Sequence, residues 1–441
     1  MAFRKDISTV HLPHNKHTAG CASAPIAPPK EVVIPMVMHS GAPSVPVVAV
    51  GDHVYVGQKI AKEEGRFSVP QHATVSGTVK AIENIKKLGG GEVLAIRIES
   101  DGKMEIDPAM TAPTVTNVDE FLQACLDSGI VGLGGAAFPL WGKLDAVRRN
   151  TIHTVLVNGA ECEPYITADH RTMLEQTEYI VKGIELLKKY LGSTRFVIGI
   201  ENNKQDAIDK LTETFKADEQ VEILSLNAVY PQGAKQVLLY NACNVVVEEG
   251  QRLASKGVII INVTTLAKMA LFMETGMPLV DKCITVDGEP IANPCNLIVP
   301  IGTPVSYIVE QAGGFKSEPG KVIIGGPMMG VALSDLDEPI VKASNAVVAF
   351  TPEQCVKVEP SDCIRCGRCV ANCPISLNPT LYAKAYEMED DEKRFQLLNK
   401  ERVNFCIECG CCSYVCPANR PLLEMNIAGK QFLRKAKAAR G

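Results

Sequence analysis

Eight cysteines near the end of the chain stand in the pattern C-x-x-C-x-x-C-x-x-x-C-P, written twice. The first run is Cys363, Cys366, Cys369 and Cys373 before Pro374; the second is Cys406, Cys409, Cys412 and Cys416 before Pro417. Three close thiolates followed by a Cys-Pro is the spacing that binds paired [4Fe–4S] clusters, with the fourth cysteine of each run reaching the other cluster. The expected quartets are therefore Cys363, Cys366, Cys369 with Cys416, and Cys406, Cys409, Cys412 with Cys373. Each proline halts the helical turn at its cysteine because it lacks an N–H. Zinc ribbons and disulfides are the alternatives, but zinc leaves the third cysteine and the Cys-Pro of each run unexplained. Cys411 is an extra thiol in the second run, expected to pack beside a cluster because Cys412 keeps the spacing. The chemistry these residues imply is one-electron transfer.

The remaining chain must position that centre and supply its electrons. A length of 441 residues has room for three or four domains, and the net charge of −5 argues against a nucleic-acid partner. No apolar run approaches the roughly 18 residues of a membrane span. The opening MAFRKDISTVHLPHNK lacks the apolar stretch of a signal peptide. The other eight of the 16 cysteines are scattered without pairing spacing, which reads as a reducing, cytoplasmic setting.

Punctuation divides the chain. A proline-rich arm, ASAPIAPPK (22–30), precedes short β-branched runs with glycine turns over 31–100, the pattern of a small all-β unit. The pair GDHVYVGQ and HATVSGTV resembles the halves of a lipoyl or biotinyl carrier domain, a barrel-sandwich hybrid. The hairpin between them, EEGRFSVPQHA, lacks the modifiable lysine, so a docking or structural module is expected. After a linker at 106–117, residues 118–270 alternate helical and strand patterns, including an amphipathic stretch over 172–191 with Met173, Ile180, Ile184, Leu187 and Leu191 on one face. Such alternation predicts a mainly parallel sheet with ligands at the carboxyl ends of its strands.

Two loops in this region carry candidate binding groups. GLGGAAFPLWGKL offers Gly132, Gly134 and Gly135 for close approach of backbone N–H groups to a phosphate, with Lys143 as a cation. It is neither the dinucleotide G-x-G-x-x-G nor a P-loop, and taken alone it fits a structural turn as well. The second loop sets Asn158, Glu161, Glu163, Asp169, His170 and Arg171 after a strand. Its acids suit ribose hydroxyls or the capping of the next helix.

Taken in order, GLGGAAFPLWGKL and VNGAECEP resemble the flavoprotein subunit family of respiratory complex I and NAD-linked hydrogenases, whose signatures are GRGGAGFPTGLKW and CNADExEPG. The resemblance implies FMN and NADH in one cleft. Gly132, Gly134, Gly135 and Lys143 would then lie at flavin or NADH phosphates, Phe138 would stack on the dinucleotide, and Asn158, Glu161 and Glu163 would bond flavin or nicotinamide groups. YPQGAKQ (230–236) is similar to the family's Y-x-C-G-E-E segment, with Ala234 and Lys235 in place of the glutamates. Asn262 falls in INVTT, the counterpart of N-N-V-E-T. Leu133, Ala137 and Ala160 also depart from the pattern.

The whole chain resembles the C-subunit family of the Rnf ion-translocating ferredoxin:NAD oxidoreductases. STVHLPHNK is similar to its GGxHPPxxK signature, with Ser8 and Thr9 replacing glycines, and VIIGGPMMG ends a segment like its ubiquitin-like SLBB domain. The turn GGPMMG is read as structural and its methionines as core. The expected architecture is multidomain α/β plus α+β: an arm and barrel-sandwich hybrid over 1–105, a Rossmann-like FMN/NADH domain over 118–270, an SLBB domain over 276–335, a two-cluster ferredoxin-like helical domain over 352–425, and a basic tail over 426–441. The resemblance implies non-covalent FMN, two [4Fe–4S] clusters and NAD(H) as substrate. It also implies integral and peripheral partner proteins coupled to Na⁺ or H⁺ translocation, ferredoxin engaged through a partner, and a peripheral place on the cytoplasmic side of the cell membrane. A soluble cobalamin reductase and a two-cluster relay without an NADH site are the alternatives. No side chain is expected to act as acid, base or nucleophile. The tail, with Lys430, Arg434, Lys435, Lys437 and Arg440, reads either as a solvated helix end or as an anchor to a partner or to anionic lipid.

Overall fold

A computed structural model describes residues 9–248 and 251–440; Ser8 with the rest of the opening octapeptide, and Gly441, lie outside the described residues. The first module is a pair of small sheets. One orders Glu31–Pro35, Glu92–Ser100, Gly77–Lys86 and His53–Val54; the other orders Val45–Pro46, Lys59–Lys62 and Gln71–His72. Their alternating apolar residues close a core in which Val32, Ile34, Val54, Ile60, Val79, Ile96 and Ile98 are wholly buried. Each such side chain contributes about 1.5–3 kcal/mol relative to exposure.

The central module is a four-stranded sheet of order Val221–Leu226, Arg195–Glu201, Thr154–Gly159, Val258–Asn262, every pair parallel. The period of two along a strand assigns its faces. Val155, Val157, Phe196, Ile198, Ile259 and Ile261 share one core with Ile180, Ile184 and Leu187 of Thr177–Leu191 and with Leu266 of Val263–Thr275. Leu156, Val197 and Ile260 share another with Leu238 and Leu239 of Lys235–Cys243. The amphipathic stretch at 172–191 is two helices, Ala168–Glu175 and Thr177–Leu191, rather than one. Gln176 leaves the helical region at the junction, and Thr177 Oγ1 donates back to the Met173 carbonyl at 2.7 Å, a local bond that competes with helix propagation.

The third module is a mixed six-stranded sheet in the order Ser23–Pro25, Cys295–Pro300, Asp281–Asp287, Ala346–Phe350, Lys321–Ile324, Val331–Ala332, with the helix Val305–Gln311 packed on it. Two strands come from outside the expected 276–335. Ala346–Phe350 lies between Asp281–Asp287 and Lys321–Ile324. The proline-rich arm adds Ser23–Pro25 at the edge, parallel to Cys295–Pro300. Neither is assignable from spacing, because strand partners follow the tertiary register.

The last module carries the third cysteine of each run, Cys369 and Cys412, on two short helices, Arg368–Ala371 and Cys411–Tyr414, each entered through a glycine, with the other run cysteines in the flanking loops. Gly367 (φ 76°) and Gly410 (φ 77°) occupy a left-handed conformation that side chains disfavour. The basic tail is part of this module and not an appendage. It continues the helix Leu422–Arg440, which packs on Pro379–Tyr386 and Asp391–Lys400. Leu433 is 1% exposed, Lys430 donates to the Cys406 carbonyl at 2.8 Å and pairs with Glu408, and the Arg440 guanidinium lies 3.7 Å over the Phe395 ring. Among the described residues no helix is long and apolar enough to cross a membrane.

Truncation after Asn426 therefore removes core contacts. Losing the buried Leu433 alone costs about 2–5 kcal/mol, and the Cys406 loop loses its lysine tie. We expect the truncated chain to lose iron and sulfide, read by elemental analysis. An intact complement of iron would show that the helix end is dispensable.

Candidate functional site

The two cysteine runs face two cavities. Cys373 lines one together with Cys406, Cys409, Cys411 and Cys412; Cys416 lines the other together with Cys363, Cys366 and Cys369. The grouping thus interleaves the runs. Among the described residues no group of three or more His, Cys, Asp or Glu is set to hold a single metal ion. Hydrogen bonds reach the sulfurs of the inner quartet: Asn426 Nδ2 lies 3.7 Å from both Cys406 and Cys412, and the Leu377 N–H lies 3.2 Å from Cys373. Such donors stabilise thiolate charge and tune a cluster's potential. Cys411 is 1% exposed and packs with Val10, Leu12, Tyr230 and Cys409. The outer quartet is more open, with Cys363 and Cys366 exposed. A thiolate donor set around an apolar volume fits a cubane.

A third cavity, of about 400 Å³, opens at the carboxyl ends of the parallel strands, within the size range of small-molecule sites. Gly134 and Gly135, Asn158, Glu161, Glu163, Asp169 and Asn262 line it. So do most of residues 230–236, with Met329, Ile407 and Cys409. Strand ends explain the asparagines. Asn158 lies near the end of its strand, donating to the Gly233 carbonyl at 3.0 Å; Asn262 caps Val263–Thr275 through the Thr265 N–H and donates to Asp169 at 2.7 Å. A Cβ on Gly134 would sit 2.6 Å from Asn262 Nδ2, while one on Gly135 would meet open space. The glycine loop is thus narrow where it passes Asn262 and open toward the cavity.

The carboxylates differ in use. Glu161, at φ 50°, accepts the Asp169 N–H at 2.6 Å and the His170 N–H at 3.3 Å, so it caps the helix Ala168–Glu175 while lining the cavity. Glu163 Oε2 accepts the Met328 N–H at 3.0 Å, and among the described residues its buried Oε1 has no hydrogen-bond partner. The Tyr230 hydroxyl is likewise buried and unpartnered. Burial pushes both carboxyls up to about 7, with Asp169 adding to the rise at Glu161 and the Met328 N–H opposing it at Glu163. Burial, with Lys235 nearby, brings Lys143 down to about 7. These orphaned polar atoms, the strand-end amides and the open glycine loop fit a polar, aromatic cofactor such as a flavin.

Three expected residues do not line this cavity. Gly132 and Lys143 stand behind it, with Lys143 Nζ 4.0 Å from where a Gly132 Cβ would lie. The Phe138 ring is turned to the barrel-sandwich hairpin, tilted on Phe67 with centroids 5.0 Å apart, and Phe67 in turn contacts Trp141 at 6.0 Å. The hairpin that lacks a carrier lysine thus braces the glycine loop. Phe138, expected to stack on a dinucleotide, packs on Phe67 at this hairpin and does not line the cavity. The GGPMMG turn is corrected in the other direction. Met329 is 55% exposed and lines the cavity, Met328 packs with the Cys409 group, and a Cβ on Gly326 would fall 2.3 Å from Glu163. The glycine pair was the only sequence signal for that approach.

Comparison with known proteins agrees with this division. Family models match the RnfC barrel sandwich hybrid domain over 6–103, the Nuo51 FMN-binding domain over 125–271, the SLBB domain over 283–332 and a 4Fe-4S dicluster domain over 359–420. The C subunit of the Na⁺-translocating ferredoxin:NAD⁺ oxidoreductase complex of Acetobacterium woodii is 42% identical, covering 84% of each chain. Its counterpart in the proton-translocating complex of Clostridium ljungdahlii is 39% identical, covering 84% of this chain and 82% of its own. The fold is similar to a chain of an NAD⁺-reducing [NiFe]-hydrogenase, with a TM-score of 0.51, 18% identity, and coverage of 74% of this chain and 64% of that one. The four expected modules are present, and FMN and [4Fe–4S] clusters are the cofactors they carry. With cysteine runs, flavin cleft and module order all in place, this chain belongs to the C-subunit family of ion-translocating ferredoxin:NAD⁺ oxidoreductase complexes.

Proposed function

We propose that this chain is the peripheral component through which such a complex exchanges hydride with NAD(H) and moves electrons singly between the flavin cleft and its partners. The observation that carries this reading is that Cys409, a second-run cysteine, lines the same cavity as Glu161, Glu163 and the glycine loop. FMN, when bound, supplies the conversion between a hydride and single electrons. The chain's residues hold and insulate it. Gly134 and Gly135 leave backbone open to a phosphate, Lys235 supplies positive charge from the cavity wall, and Asn158, Asn262 and Glu163 present polar atoms to the ring system. Tyr230, Met328 and Ile407 exclude water between the cleft and the inner quartet.

The order of centres follows from exposure. The quartet of Cys406, Cys409, Cys412 and Cys373 is nearest the cleft, and the quartet of Cys363, Cys366, Cys369 and Cys416 faces outward toward a partner protein. Without a spanning helix among the described residues, the chain is held at the cytoplasmic face by integral membrane partners, and ferredoxin engages one of those partners.

Three outcomes test the assignment. Cys416→Ala should damage the outer cluster and leave the one beside the cleft, seen by electron paramagnetic resonance; loss of the inner cluster alone would reverse the crossed ligation. Lys235→Ala and Glu163→Ala, both at residues lining the cavity, should slow NADH-dependent ferricyanide reduction with unchanged iron content. A lost charge-assisted hydrogen bond to the cofactor weakens binding about ten- to a hundredfold, and wild-type kinetics in both variants would remove the cleft from the mechanism.

The third outcome concerns pH. The Glu163 pKa is raised from 4.5 to about 7, so the folded chain holds a proton that the unfolded chain releases. Stability from this group is complete below about pH 4.5 and falls as pH rises to about 7. Glu163→Gln carries no such charge. In flavin-free protein with clusters assembled, its melting temperature should gain on wild type between pH 4.5 and 7 and then run parallel. A difference independent of pH would mean that Glu163 is not buried as described.

A further inference from the structure

The sequence HLPHNK near the start of the chain has no part in the cleft or cluster ligands, yet it touches both. Val10 and Tyr230 exchange backbone hydrogen bonds at 2.8 and 2.9 Å, seating the segment on a wall of the cleft. Val10 and Leu12, 4% and 9% exposed, pack against Tyr230, Cys409 and Cys411, and the His11 carbonyl accepts the Tyr414 hydroxyl at 3.4 Å. Two residues on, the His14 carbonyl accepts the Tyr165 N–H at 2.9 Å. The Lys16 ammonium then donates to the carbonyls of Glu161 at 2.8 Å, Glu163 at 2.8 Å and Ile166 at 2.6 Å. Thr18 closes the run with a 2.6 Å hydrogen bond to Thr167.

The loop held in this way is strained. Glu161 and Tyr165 both have positive φ, 50° and 70°, a region disfavoured for side chains of that size and kept only where surroundings impose it. A lysine ammonium has three donors in a compact head, and here all three find loop carbonyls. The carbonyls need the cation as much as it needs them, since the loop's bend turns them inward, away from any strand partner.

We propose that residues 10–18 form a strap that fixes the separation of the flavin cleft and the inner cluster loop, with Lys16 as its positioning residue. One end of the strap lies on the cysteine loop at Cys409 and Cys411, and the other gathers the carbonyls of the loop that carries Glu161 and Glu163. The strap therefore holds both ends of one electron-transfer step. Lys16 touches neither cofactor; it acts through the backbone that aims the two glutamates. This inference rests on the reading of the cavity as the flavin site.

The test uses the full chain with both clusters assembled. FMN affinity is measured by fluorescence titration of deflavinated protein, and at saturating FMN the rate of cluster reduction by NADH is compared with the rate of ferricyanide reduction. Lys16→Met should weaken FMN binding at least tenfold and slow cluster reduction more than ferricyanide reduction, with iron content unchanged. Lys16→Arg should lose less, because the charge and some donors are kept although a planar guanidinium cannot meet all three carbonyls around one point. Lys80→Met, at an exposed lysine of the barrel-sandwich sheet that pairs with Glu99, should leave both readouts at wild type. Wild-type FMN affinity and cluster reduction in Lys16→Met overturn the strap. If Lys16→Met does not accumulate with full iron, Lys16→Arg decides: an unchanged affinity and rate ratio overturn the proposal, and a loss in both supports it. Glu163→Ala separates the two readings. If it too leaves FMN affinity unchanged, the cavity is not the flavin site; if only Lys16→Met is silent, the strap alone fails.

Discussion

Glu163 meets the Met328 N–H at a point where three modules come together, and much of the molecule is arranged around that contact. The carboxylate belongs to the loop after the first strand of the parallel sheet, and the N–H belongs to the turn that ends a strand of the SLBB sheet. The turn can come this close only because position 326 has no side chain. On its far side Met328 contacts the cysteine loop, with the Met328 carbonyl 3.2 Å from where a Cβ on Gly410 would lie. A carboxylate so buried keeps its proton to about pH 7, and one of its oxygens is left for a ligand. The same group thus aligns modules and addresses the cleft.

Cations in the interior serve a related purpose. Lys342 donates to the Gly129 carbonyl at 2.7 Å and the Pro70 carbonyl at 3.2 Å, joining the β unit to the start of the flavoprotein core. Lys282 donates to the carbonyls of Leu133 and Lys342 at 3.1 and 3.2 Å, tying the SLBB sheet to the glycine loop. Lys204 donates to the Ala160 carbonyl at 2.7 Å beside Glu201. Burial lowers Lys282 to about 8 and Lys342 to about 7. Desolvating an ammonium is unfavourable, so each is retained where loop carbonyls would otherwise lack donors, and Lys342 and Lys282 do so across modules. Irregular backbone and buried lysine satisfy one another, and the cleft is assembled from loops that no strand ladder could hold.

Function follows from how these ties distribute polarity. The cleft is polar at the strand ends, where Asn158 and Asn262 line it while bonding the Gly233 carbonyl and the Thr265 N–H. It becomes apolar toward Cys409 through Tyr230, Met328 and Ile407. A polar pocket with a dry wall facing a thiolate group suits a site that takes a hydride on one side and releases electrons on the other.

The chain's own order determined the chemistry that depends on near neighbours. Cysteines three residues apart must face one volume, so the two runs declared their clusters. The acidic loop lies on a strand end because it directly follows a β-branched run, whereas the glycine loop joins two helices and reaches the cleft only through the tertiary fold. The modules, too, were legible from their punctuation and their resemblance to known families. What spacing could not convey was anything built across modules. Lys16 reaches Glu161 over 145 positions, and Met328 reaches Glu163 over 165. The packing of Phe138 on Phe67, the docking of the basic tail as a helix, and the placement of Ala346–Phe350 inside a sheet are of the same kind. Each depends on which apolar faces bury one another, and that choice is made by the packing of the whole chain, where no local period records it.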